Sequence, residues 1–193
     1  MNLPNKLTML RIILTPVFLA VLYWGFPGAD YAALAIFIIA SLTDLLDGKI
    51  ARKYNLVTDF GKFADPLADK ILVVAAMLWF VECGRMPAWM VMIVITREFA
   101  VSGLRMIASD NGRVIAAGRS GKVKTASTMV CIVLMLLMGP SLAAYQSGNY
   151  LGAVPWDRYI SWIDTICVWV ITLTTLYSGV EYFVKNKDVI QSA

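Results

Sequence analysis

Six apolar stretches, each near the roughly 20 residues that cross a bilayer as a helix, govern what this chain can fold into. They run over about 7–24, 32–51, 63–81, 88–107, 126–142 and 159–183. Between them lie breaks rich in turn formers: GFPGAD, GRMP, SDNGR, GPSLAAYQSGN and GAVPWDR. Hydrocarbon offers backbone N–H and C=O groups no water, so a segment that crosses it must satisfy them internally, and a helix does so. Composition agrees: 59% of the residues are hydrophobic and the mean hydropathy is +0.69, where soluble domains carry roughly half apolar residues. The expected fold is an all-α integral membrane protein, one domain over 1–193, with six transmembrane helices and no internal repeat. A short interfacial helix is expected in the first ten residues, where Leu3, Leu7 and Leu10 fall on one side. No small-residue cleavage site follows the first apolar run, and Tyr23–Trp24 fits an interface belt, so that run reads as a span rather than a signal peptide.

Charge sets the orientation. The chain carries 17 Lys and Arg against 13 Asp and Glu, net +4. Lys6, Arg11, the run from Lys49 to Lys62, the stretch from Arg105 to Lys124, and Lys185 and Lys187 all fall on one side of the spans, against only Arg85 and Arg158 on the other. The basic side is the cytoplasmic one, which places both termini and the second and fourth loops there. Basic residues gathered in loops of a membrane protein favour anionic lipid or an anionic substrate over nucleic acid.

There is no histidine. That removes a His general base, a Ser-His-Asp triad, a phosphohistidine intermediate and imidazole metal ligands. Cys83, Cys131 and Cys167 are far apart in sequence and read as small buried hydrophobes, not as a disulfide.

The stretch DLLDGKIARKYNLVTDFGKFADPLADK sits between the second and third spans and holds Asp44, Asp47, Asp65 and Asp69. Carboxylates at membrane depth are costly and mark function. At 100° per residue, Asp47 lies about 60° from Asp44 and Gly48 about 40° the other way, with Ala51 close to Asp44. Gly61, Asp65 and Asp69 advance by about 40° per step on the next span. Gly61, Ala64 and Ala68 beside them permit close helix approach. Both pairs fall within roughly 12 Å of the same cytoplasmic edge at 1.5 Å per residue. Taken alone, Asp65–Pro66 reads as a helix N-cap and a lone DxxD as a solvated face. Two pairs at matching depth read instead as a cation site. Four clustered anions need neutralising, partly by Lys49, Arg52 or Lys70, and better by one or two divalent cations with oxygen ligands.

The spacing Asp44-x2-Asp47-Gly48-x2-Ala51-Arg52, then eight residues, then Gly61-x3-Asp65-x3-Asp69, resembles the signature of the CDP-alcohol phosphotransferases at every fixed position. That resemblance implies a membrane enzyme of a bacterial inner membrane that displaces CMP from CDP-diacylglycerol with an alcohol, using two Mg²⁺ or Mn²⁺ ions. It implies Asp44, Asp47, Asp65 and Asp69 as metal ligands, and Asp69 also as general base. It places Gly48, Arg52 and Thr58 against the CDP moiety, with Asn5 and Thr8 as further candidates, and it implies a homodimer. The stretches NLPNKLTMLRI, DPLADKILV, TREFAVSGLR and GKVKT resemble the members whose acceptor is glycerol 3-phosphate.

A phosphomonoester acceptor needs a basic pocket. Arg105, Arg119, Lys122 and Lys124 lie on the cytoplasmic side, and Lys122 and Lys124 are expected just before a helix start, which favours anions. Without the resemblance, GRSGKVKT reads equally as a positive-inside anchor. Arg97 lies deeper, where pairing with surroundings such as Glu98 is expected. Within the resemblance the acceptor could instead be serine, inositol phosphate or another alcohol, and an uncharged one such as serine would not need this cluster. A divalent-cation transporter would use a midplane site and internal repeats, and a lipid-binding scaffold would leave the Asp pairs unexplained.

Overall fold

The structure is a computed structural model that describes residues 3–54, 59–110, 115, 118–139 and 156–187; side chains at 3–6, 44–54, 59–67, 69, 109–110, 156–158 and 160 lie outside the description. Six helices account for the described residues: α1 (Leu3–Trp24), α2 (Ala29–Tyr54), α3 (Asp59–Glu82), α4 (Ala88–Asp110), α5 (Arg119–Leu137) and α6 (Trp156–Lys185). Three contain apolar windows long enough to cross a membrane, Leu7–Trp24, Arg119–Leu137 and Ser161–Lys185. This is a helical membrane protein.

Helix α1 is continuous from Leu3, so the expected separate interfacial helix does not exist. Nothing between Leu3 and Leu10 forces a break: there is no glycine, and Pro4 sits in the first turn, where its missing N–H has no intrahelical role, while the interior proline, Pro16, lies further along the span. The other helices overrun the apolar runs with polar turns, because the hydropathic pattern marks lipid contact and not the end of the hydrogen-bond ladder.

The described α1–α2 and α3–α4 turns are short, which suits antiparallel neighbours. The α3–α4 turn shows how. Arg85 N–H reaches Phe80 O at 2.8 Å and Gly84 N–H reaches Val81 O at 3.0 Å, the double closure of a Schellman motif. Gly84 has φ +70°, a conformation that a Cβ opposes. The turn delivers Arg85 to the start of α6, where it meets Asp164.

Helix α1 packs on α2 and α3, α5 on α6 and α2, and α4 on α6 and α3. The interior holds Phe18 against Phe37, ring centroids 6.1 Å apart, with Leu72, Met77, Phe80, Ile132, Met135 and Ile171 fully buried around them. Outward positions are just as apolar: Ile13, Ile39, Met92, Val130, Leu173 and Val180 are exposed. Scattered over a soluble surface this much apolar area would be a liability; on spanning helices it is the face that lipid covers.

Candidate active site

The α2–α3 end of the bundle carries the four aspartates. Asp44 and Asp47 lie in the C-terminal part of α2, followed on the same helix by Gly48 and Arg52. Asp65 and Asp69 lie in the N-terminal half of α3. Helix α3 begins at Asp59, so Asp65–Pro66 is within the helix and does not cap it. The side chains of Asn5, Gly48, Arg52 and the four aspartates are outside the described residues, as is Thr58 altogether.

The helix between these two, α1, presents Thr8 and Arg11, 1% and 2% exposed. Both are engaged in contacts. Arg11, one of the basic-side charges, is a buried residue one turn from Thr8, on the same face by i,i+3 spacing. That spacing, and an arginine inside an apolar run, were the available signals.

Beside the start of this region lies a buried polar cluster that joins α3, α4, α5 and α6. Glu98 Oε1 accepts from Arg97 Nη1 at 2.9 Å and from Lys124 Nζ. Arg97 Nη2 donates to Ser178 Oγ at 2.7 Å. Lys70 Nζ donates to Ser102 Oγ at 2.8 Å. A cavity of about 50 Å³ is lined in part by Lys70, Glu98, Lys124, Thr125 and Thr128 and over the rest by Val73, Val74, Val94 and Met129. Thr128 is 2% exposed and its hydroxyl has no hydrogen-bond partner. Gly179 makes room for Arg97: a Cβ there would come within 3.1 Å of Arg97 Cγ.

The four expected acceptor residues separate. Arg119 and Lys122 are exposed. Arg105 is exposed too, its guanidinium 5.6 Å from the Tyr182 ring centroid. Lys124 is buried with Glu98. The reason is helical phase. Helix α5 starts at Arg119 after Gly118, whose ψ of 162° is extended. Lys122 and Lys124 are therefore inside the helix, not before it, and point about 200° apart. Lys124, Thr128, Cys131 and Met135 form one buried stripe. Arg97 does pair with Glu98 as expected.

The opposite end is different. Arg85 Nε and Nη2 donate to the two oxygens of Asp164, each at 2.7 Å, and its guanidinium stands 5.3 Å from the Phe80 ring centroid. Tyr23 donates to Glu82 and stacks edge-on to Trp79 at 5.2 Å. Burial pushes the Asp30 carboxyl above the usual carboxylate range, with Arg85 pulling the other way. A cavity of about 650 Å³ opens here among Arg85, Met86, Met90, Asp164, Val168 and Trp169. Its volume suits a ligand, but its two charges satisfy each other and leave nothing to hold an anion. Cys131 and Cys167 are buried and Cys83 is exposed, all three free thiols. The first two are side-chain neighbours, a contact that their separation in sequence concealed.

Fold and site together define an all-helical membrane protein with acidic residues on two consecutive helices beside a buried cation cluster. The chain belongs to the CDP-alcohol phosphatidyltransferase family, whose model matches residues 1–177. It is 40% identical to the CDP-diacylglycerol–glycerol-3-phosphate 3-phosphatidyltransferase of Bacillus subtilis, covering 100% of this chain and 98% of the relative. It is 33% identical to the protein of the same name from Rickettsia bellii, covering 94% of this chain and 93% of the relative.

Proposed function

We propose that this protein transfers the phosphatidyl group of CDP-diacylglycerol to glycerol 3-phosphate, giving phosphatidylglycerophosphate and CMP. The observation that carries the reading is the presence, in one helical membrane protein, of two Asp pairs on consecutive helices and a cavity lined by Lys70, Lys124 and Glu98. The full-length likeness to a relative named for this reaction supports it.

Asp44, Asp47, Asp65 and Asp69 would hold two divalent cations, Mg²⁺ or Mn²⁺. The donor chemistry fits: the four residues offer only oxygen, and the chain has no histidine. Bound there, the cations would neutralise the diphosphate and the charge that develops on it. Arg52 pairs with the diphosphate, and Gly48, lacking a Cβ, lets the nucleotide approach the backbone. Thr58, Asn5 and Thr8 complete the CDP side. Asp69 accepts the proton of the acceptor hydroxyl, whose oxygen bonds to the lipid-side phosphorus as the bond from that phosphorus to the CMP oxygen breaks. Lys124 and Lys70 meet the acceptor phosphate, while Arg105, Arg119 and Lys122 steer it inward from the rim. The whole chain acts as one domain of six spans in a bacterial inner membrane, termini and active site cytoplasmic, as a homodimer. Apolar outward faces of α3, α4 or α5 are available for pairing.

The test is CMP release by purified protein with CDP-diacylglycerol, Mg²⁺ and one acceptor at a time. Release with glycerol 3-phosphate, lost on chelation and restored by Mg²⁺ or Mn²⁺, is expected. Release only with serine or inositol phosphate would replace the acceptor and keep the chemistry.

A further inference from the structure

Glu98 stands at the centre of the cation cluster. Its Oε1 receives Arg97 from its own helix at 2.9 Å and Lys124 from α5, while Arg97 reaches across to Ser178 on α6. Lys70, from α3, lines the same cavity. Among the described residues, two cations contact this carboxylate and a third lines the same cavity, an excess of two positive charges. Buried like charges repel, and without an anion among them a lysine sheds its proton or swings away. A second carboxylate would instead halve the excess. One is the number that gathers the cations and leaves charge to spare.

We propose that Glu98 is a positioning residue of the acceptor site: itself held by Arg97, it holds Lys124 so that, with Lys70, this lysine meets the phosphate of the acceptor already arranged. The inference rests on the function proposed above. A phosphomonoester carries about −1.5 to −2 charges at pH 7, which matches the excess. The cavity of about 50 Å³ has room for roughly four water-sized atoms, and a phosphate presents four oxygens. The Thr128 hydroxyl, buried and unpartnered, supplies a further donor to that space. Each ammonium has three N–H donors, and the contacts described use one on each lysine. Lys70 follows Asp69 directly, so the two Cα atoms are about 3.8 Å apart. The acceptor's phosphate end is thereby held next to the helix turn that receives its hydroxyl proton.

The experiment is a glycerol 3-phosphate titration of CMP release by the full chain at saturating CDP-diacylglycerol and Mg²⁺, comparing wild type, Glu98→Gln and Glu98→Asp. Thermal unfolding is read on each. Glu98→Gln is expected to raise the acceptor KM about tenfold or more, as loss of one partner of a buried charge pair does. The KM for CDP-diacylglycerol should stay within about twofold, and Glu98→Asp should recover part of the loss. An unchanged acceptor KM with a lowered Tm would make Glu98 a helix fastener and overturn the proposal. A lowered acceptor KM would also overturn it, by making Glu98 a competitor of the phosphate. Should Glu98→Gln fail to fold, Lys124→Gln leaves Glu98 paired with Arg97 and must raise the same KM; no change would sink the idea. If wild type itself does not use glycerol 3-phosphate, the proposed function fails first, and that is visible before any variant is compared.

Discussion

Two buried ion-pair groups occupy opposite ends of the bundle, and they are built differently. Arg85 and Asp164 are matched one to one by two bonds of 2.7 Å, with side chains 7% and 9% exposed. Arg97 and Lys124 both contact Glu98, and Lys70 lines the cavity beside it, three cations to one carboxylate among the described residues. A closed pair ties the α3–α4 turn to α6 and has nothing left for a ligand. An unbalanced group is a poor fastener, because its own members repel, and a good receptor for an anion. The larger cavity lies at the balanced end and the smaller at the unbalanced one. Residual charge, not volume, marks where the chemistry belongs.

The largest expected effect lies beside the unbalanced group. Asp69→Asn should cut turnover by roughly 10²–10⁴, the usual reach of a general base, in a CMP-release assay with the protein still folded. Retained turnover would take Asp69 out of the proton transfer. At the balanced end, Arg85→Met should lower stability by about 3–5 kcal/mol, since Asp164 is left as a lone buried charge. Denaturation in detergent reads this directly. The double variant Arg85→Met/Asp164→Leu should recover most of it, because replacing both members of a buried pair is often neutral. If the double is as weak as the single, the pair is more than a fastener.

Rim charges come next. Lys122→Ala should raise the acceptor KM only about two- to threefold, and the difference should fade in high salt, because the side chain is exposed and acts through a screened field. A salt-independent loss would put Lys122 in contact with substrate. Asp30→Asn is the smallest. Burial raises the Asp30 carboxyl pKa above its unfolded value. Its protonated form is therefore favoured in the fold: that stability is full in acid and lost as pH rises through the raised value. Asn removes the loss, so a slight rise in Tm at neutral pH is expected, shrinking in acid. A fall at neutral pH would mean that the Arg85 charge outweighs the burial.

Much of this is legible in the sequence. The apolar runs located the helices, because hydrocarbon demands helical backbone wherever such runs cross it. The two Asp pairs stood out because charge at that depth is rare. Lys124 was legible in principle: Lys124, Thr128, Cys131 and Met135 fall at helical spacing. Starting the helix at 126 removed Lys124 from its stripe. Arg11 counts among the basic residues of one side, and hydropathy does not reveal that it is buried in α1, which runs through it from Leu3. The cross-helix partners had no local signal. Arg85 with Asp164 is 79 positions apart, Arg97 with Ser178 is 81, and Lys124 with Glu98 is 26. Helical phase gives the face of a residue but not the helix that faces it.

The most direct measurement sets one residue from each end side by side. Lys124→Met and Arg85→Met are titrated with glycerol 3-phosphate and melted in the same detergent. Glu98 keeps Arg97 when Lys124 is lost, so Lys124→Met should raise the acceptor KM about tenfold with Tm nearly held. Arg85→Met should lower Tm and leave the KM of the folded protein unchanged. The reverse pattern, with the acceptor KM following Arg85 and stability following Lys124, would contradict the assignment of the two ends.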